Sequence, residues 1–304
     1  MPQRNDTDPN KYWERDQKAK SQRLYVAFCE FAASFLDYGT GRDLLLRGAQ
    51  NAGRLNWAST AFYYSLVHAG RFLIFVPIGD FPTKHGDLAQ CFRQDGEGKP
   101  TDWLNGFAEQ IAANQRQTAD RYRKRIHFQD ICAYWVEKVE VPQAQEFLTT
   151  FGKKLARAKE LRNENNYEAL LIAHEYRHFR MTESFRNLAK AMRQVARSAL
   201  EVTPRWFSSY LRCDIDDPWE WNGSAKLSFV RRYADRRILK PAKDWYQLED
   251  IAKEIREMLK PILEVDASND NALADQIEND VKFDVFQGKE SLMSDFESKI
   301  GKLT

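Results

Sequence analysis

The chain has 304 residues, with 46 Lys and Arg against 44 Asp and Glu, a net charge of +2, and 43% hydrophobic and 13% aromatic content. That length supports one large domain or two ordinary ones with a sizeable core, and the composition excludes wholesale disorder. No run of eighteen apolar residues occurs and Met1-Pro2-Gln3-Arg4-Asn5-Asp6 carries no hydrophobic signal region, so a cytoplasmic protein outside the membrane is expected.

The expected elements are almost all helices. From Trp13 to Tyr38, Leu24, Ala27, Phe28, Phe31 and Phe35 recur at three- and four-residue spacing, and Gly39 and Gly41 are expected to stop that helix. A second helix is expected to begin near Asp43. Leu55 to Val76 is apolar on most sides and should be the central buried helix, ended at Pro77, which disfavours helical geometry in the residue before it. Small residues Ala58, Ala61, Ser65 and Ala69 along it let neighbouring helices approach.

Residues 95–100 read as a surface loop, and Trp103 to Trp135 as helix interrupted within a basic stretch. A long helix follows from Ala144 to about His178, with Phe147, Phe151, Leu155, Ala158 and Leu161 on one face. Another runs from Thr182 to Glu201, with Pro204 expected to terminate it. The periodicity breaks from Cys213 to Pro241, the best candidate boundary. The domains expected are residues 1–212, a bundle with its N-terminal helix, and 213–304, a smaller C-terminal helical extension with an acidic tail. Within the extension, Leu248, Ile251, Ile255, Met258 and Leu259 mark one helix before Pro261.

Charge is unevenly placed: eleven bases against five acids in residues 151–200, seven against one in 226–243, and four against ten in 264–304. A basic body with an acidic tail suits phosphates plus a segment that covers them or recruits a basic partner. Solvated helix faces account for the same pattern. Cys29, Cys91, Cys132 and Cys213 are too scattered for a zinc knuckle or redox pair and read as buried free thiols.

Three parts of the chain, taken together, carry a family pattern. They are the helix Phe62-Tyr63-Tyr64-Ser65-Leu66-Val67-His68-Ala69, the turn Lys84-His85 entering a further helix, and Leu161-Arg162-Asn163 with Tyr167-Glu168 late in a long helix. In this order they resemble the HEPN family over roughly residues 20–205, about two thirds of the chain. The resemblance implies an all-α, HEPN-like antiparallel helical bundle of the kind found in bacterial toxin–antitoxin and phage-defence systems. It further implies a protein partner subunit or a homodimer, RNA or DNA as ligand, and a metal-independent endoribonuclease needing no cofactor.

The family's nuclease signature pairs an arginine and a polar residue with a histidine a few positions on. Arg162 and Asn163 supply the first half, but Tyr167, after four intervening residues, stands where histidine is expected, and Glu168 and Ala169 are not histidine either. Cleavage through the 2′-hydroxyl needs a group that moves protons near neutral pH, which imidazole does and a tyrosine of pKa about 10 does not. Arg162, Asn163 and Tyr167 are therefore the candidate catalytic set of a degenerate centre. Lys84 and His85, with Arg121, Arg123, Lys124, Arg125 and His127, are the candidate nucleic-acid contacts.

Two alternatives stand beside this reading. One is a non-catalytic structural subunit of a larger complex. The other is a zinc metallohydrolase using His174-Glu175-Tyr176-Arg177-His178, whose histidines share a helix face one turn apart, with Glu183 or Glu201 as third ligand. Leading expectations assign no metal. His68, on the central apolar helix, reads as a hydrogen-bonded core histidine.

Overall fold

Residues apolar on nearly every side demand a helix buried on nearly every side, and α2 (Ala52–Ile78) is that helix. The computed structural model describes residues 9–48, 50–79, 81–82, 84–94, 97–98, 126–163, 179–213, 223–246 and 248–264. Over these the protein is an all-α helical bundle. The order is α1 (Pro9–Arg47), α2, α3 (His85–Gln90), β1 (Glu97–Gly98), β2 (Ile126–His127), α4 (Phe128–Ala133) and a π-helical turn (Tyr134–Lys138). Then come α5 (Ala144–Asn163), α6 (Phe179–Leu200), α7 (Thr203–Arg212), α8 (Gly223–Ala234), a second π-helical turn (Asp235–Leu239), α9 (Lys240–Tyr246) and α10 (Glu249–Leu263). The antiparallel pair β1–β2 matches Glu97 with His127 and Gly98 with Ile126.

Helices α1 and α2 pack antiparallel across a short turn. The side-chain oxygen of Asn51 caps α2 by accepting from the Arg54 N–H at 3.0 Å, and at the far end Arg23 Nη2 donates to the Val76 carbonyl at 2.8 Å. Gly39 and Gly41, which the sequence led us to expect as the end of α1, do not stop it; α1 runs through them to Arg47 and absorbs the helix expected from Asp43. Both glycines are packing residues: a Cβ on Gly39 would collide with the Tyr246 ring, and one on Gly41 would meet Phe62 at 2.7 Å. Gly70 and Gly152 likewise let α2 and α5 close on Phe92 and Phe151. Phe31, Phe72 and Phe207 then join α1, α2 and α7, with ring centroids 4.8–5.4 Å apart.

Proline is also read differently by the fold. Pro204 lies in the first turn of α7, where its missing N–H costs nothing, and Pro261 lies inside α10. Pro77 lies inside α2, which ends two residues beyond Val76 at Ile78 and is capped by Gly79 at φ 81°. A proline at 77 withholds the N–H that would bond the Leu73 carbonyl. Trp135, in the first π-helical turn, donates its indole N–H to that same carbonyl at 2.9 Å. The helix defect thereby becomes the anchor of the chain segment that follows β2.

The described helices after residue 213 share this core. Phe28 meets Phe229 and Tyr233 at 6.2 and 5.8 Å, and Tyr246 donates to the Leu36 carbonyl at 2.6 Å. The boundary expected after residue 212 thus falls between helices of one core. Glu254 of α10 accepts from Tyr38 OH at 2.7 Å, Arg42 Nε at 2.8 Å and Arg193 Nη2 at 3.0 Å, joining α1, α6 and α10. Burial pushes its carboxyl up, but these three donors outweigh burial and hold it below the usual range. Of the cysteines, Cys91 and Cys132 are buried as expected, whereas Cys29 is exposed and Cys213 half-buried.

Two outcomes follow from these contacts. Trp135→Phe orphans the Leu73 carbonyl and should cost about 1–3 kcal/mol in urea unfolding. The cost should shrink in a Pro77→Ala background, where a helical N–H replaces the indole; an equal cost in both backgrounds contradicts the pairing. Glu254→Gln should cost about 1.5–3 kcal/mol at neutral pH. That loss should fade as pH falls below about 4.5, because a carboxyl held low in the fold contributes stability above its unfolded pKa and loses it on protonation.

Candidate anion-binding site

Most of α2 is buried, but Tyr64, His68 and Arg71 recur at four- and three-residue spacing and are only half-buried. They form a polar stripe on an apolar helix. After Gly79 turns the chain, Phe81 and Pro82 are buried and His85 opens α3 beside that stripe. Its Nδ1 lies 2.8 Å from Tyr63 OH, and its ring centroid lies 5.4 and 5.5 Å from those of Tyr63 and Tyr64.

The last turn of α5 supplies the cations. The Arg162 guanidinium lies 5.4 Å from the Tyr63 ring centroid and 5.6 Å from that of Tyr64. Arg162 Nε is buried without a hydrogen-bond partner among the described residues. Lys159, one turn earlier, sits against α3: a Cβ on Gly86 would come 3.2 Å from its Nζ, so glycine there admits the ammonium. Arg71 lies over the Phe81 ring at 5.2 Å.

These charges govern His85. Burial, then Arg71, Arg162, Lys159 and His68, lower its pKa to about 4. Burial pushes the Tyr63 hydroxyl up to about 12, so it keeps its proton and shares a hydrogen bond with His85 Nδ1 in which either group can donate. The neutral imidazole carries one proton, and which nitrogen holds it sets the direction of that bond. At neutral pH the site offers a guanidinium, an ammonium and a neutral imidazole, a set that suits an anion. An imidazole whose pKa is lowered to about 4 is a weak base at neutral pH.

His68 contrasts with this. Its Nδ1 lies 2.7 Å from Glu30 Oε2 and its Nε2 3.6 Å from Asp37 Oδ2, so it is hydrogen-bonded as its place on α2 led us to expect. Burial raises Asp37 to about 6, with His68 opposing and Glu30 adding to the rise.

The structure thus brings together Arg162 and His85 from the expected set. Asn163 follows Arg162 as the last residue of α5, and Lys84 is exposed just before α3. His127 is exposed at β2, and no hydrogen bond or ring contact joins it to this cluster among the described residues. Tyr167, Arg121, Arg123, Lys124 and Arg125 lie outside the described residues, as do His174, Glu175 and His178. Glu201 is ion-paired with Arg197 at 2.8 Å, and no group of three His, Cys, Asp or Glu able to hold a metal occurs among the described residues. Sequence reasoning missed Lys159, Arg71 and the role of Tyr63 and Tyr64. A cation at 71 within an otherwise apolar helix was the available signal.

A second group of charges surrounds a cavity beside α6 and α10. It has a volume of about 440 Å³ and is lined by Arg197, Arg205, Lys253, Asp250, Glu254 and Glu257 among others. Opposite charges are interleaved there, and the geometry favours no one ligand sign.

The low pKa of His85 has a signed consequence. An unfolded histidine protonates near 6.5 and the folded one near 4, so the unfolded chain binds more protons between those values and stability rises with pH across that window. His85→Gln should flatten the rise in urea midpoint between pH about 4 and 6.5; an unchanged slope contradicts the assigned environment. Comparison with protein-family models, with curated proteins and with solved structures finds no match to this chain.

Proposed function

We propose that this chain is a HEPN-like module of a bacterial defence or toxin–antitoxin system, which holds a phosphate of an RNA strand at the Arg162–His85 cluster and binds it without hydrolysing it. The observation that carries this reading is the convergence of Arg162 and Lys159 from α5 on His85 of α3, above the Tyr63 and Tyr64 rings. A guanidinium presents a planar fork to phosphate oxygens, and an ammonium adds a point charge beside the neutral His85 imidazole. Binding is favoured over cleavage by the state of the imidazole. A base for the 2′-hydroxyl works best with a pKa near neutral, and that of His85 is lowered to about 4.

Labelled single-stranded RNA distinguishes the possibilities, titrated with the parent protein, Arg162→Ala and Lys159→Ala at several salt concentrations, with and without chelator. Each variant should bind about tenfold or more weakly, and each lost phosphate contact should lower the salt slope by about 0.7. RNA should survive intact. Equal affinity and slope for parent and Arg162→Ala would remove the proposal. Chelator-resistant cleavage that vanishes in Arg162→Ala and His85→Ala would convert it into a nuclease.

A further inference from the structure

The polar stripe of α2 does not end at the candidate site. Residues not fully buried recur along the helix at 54, 57, 61, 64, 68 and 71, alternating steps of three and four, which is one continuous line on a helix surface. Tyr64, His68 and Arg71 belong to the site; the line continues through half-buried Ala61 to Trp57 and Arg54. Trp57 is 66% exposed. A tryptophan that open on the most buried helix of the bundle leaves a large apolar ring in water without a packing role in the fold.

Arg54 follows one turn away. Its backbone N–H is used by the Asn51 cap and its Nη1 reaches the Arg47 carbonyl at only 3.5 Å, so among the described residues it has no carboxylate partner. Of the acids along this line, Asp43 pairs with Arg47, and Glu30 and Asp37 face His68, which stands about 21 Å from Arg54 along the axis. At about 1.5 Å per residue, Trp57 stands about 10 Å from Tyr64 along the axis, and the line from Arg71 to Arg54 extends about 25 Å. One line therefore offers a cation cluster at one end, a bare aromatic face towards the other, and beyond it a cation with no carboxylate partner among the described residues.

We infer that this stripe is a track for a single RNA strand: one phosphate at the Arg162 cluster, an unpaired base stacked on Trp57, and a further phosphate at Arg54. The inference rests on the phosphate reading of the Arg162 cluster and adds to it the requirement for an unpaired strand and the residues, Trp57 and Arg54, that would impose it. A tryptophan face stacks on a base only when that base is free of its own helix, so the track takes single strands and rejects duplexes. Stacking is tolerant of base identity, and sequence preference should be weak.

Fluorescence anisotropy tests this with single-stranded RNA of about eight nucleotides, a length within known single-strand site sizes, with the matching duplex, and with adenosine monophosphate as competitor. Trp57→Ala should weaken binding of the strand about tenfold or more, Trp57→Phe should restore most of it, and neither should change competition by the mononucleotide. The duplex should bind at least about tenfold more weakly than the strand. Arg162→Ala should weaken both strand and mononucleotide. Parental affinity of Trp57→Ala for the strand, or equal binding of strand and duplex, overturns the track while leaving the phosphate site intact. Unchanged binding of strand and mononucleotide by Arg162→Ala overturns the phosphate reading itself. Trp57 is exposed, so its variants are expected to fold; equal urea midpoints for Trp57→Ala and the parent confirm that affinity alone is being read.

Discussion

Everything in this bundle is placed by the burial of α2. Its side chains from Leu55 to Val76 are closed off on nearly all sides, and α1, α5, α6 and α7 find their positions by covering them. By length and composition α2 would suit a lipid bilayer, but the bundle supplies its apolar surroundings, with 72% of its most apolar stretch buried in protein. Such a helix has few places for charge, and Arg54, His68 and Arg71 lie on one line, while Ser59, Thr60 and Ser65 are buried off it. The line is where α2 leaves the core, and where the charged ends of α3 and α5 meet it.

Two histidines near that line show how local charge sets chemistry. His68 lies between carboxylates of α1, which serve as its hydrogen-bond partners. His85 lies among cations of α2 and α5 and is kept neutral. The two side chains are alike, and their different roles come from the helices that face them.

Periodicity made the helices legible because three- and four-residue spacing of apolar residues has few other causes. The ends were less legible. Gly39 and Gly41 read as terminators because glycine weakens helices locally, yet α1 continues where Tyr246 and Phe62 need the space of the missing Cβ. Pro77 read as a stop because proline disfavours helical geometry in the residue before it, and sequence does not show the indole of Trp135 that satisfies the Leu73 carbonyl. In both cases the deciding atom comes from a distant part of the chain. The site follows the same rule. Arg162 and His85 could be singled out as residue types in a familiar order, whereas Lys159 and Tyr63 acquire a role only once α5, α3 and α2 are packed together.

The separation of Arg162 and His85 onto different helices also bears on how such a site would respond to an anion. Empty, its cations reinforce one another and, with burial, keep His85 from accepting a proton. A phosphate bound among them would offset those positive charges, and that part of the penalty on the imidazolium would disappear while the part due to burial remained. Occupancy would thus raise the His85 pKa towards its ordinary value, and a protonated imidazole would add its charge to the hold on the anion. An imidazolium donates from both nitrogens, so Tyr63 would then be the acceptor in the contact at Nδ1, since two donors cannot share it. Burial remains as the standing penalty on the charged form. What the imidazole can do is therefore set by how far a bound anion offsets the cations of α2 and α5 around it.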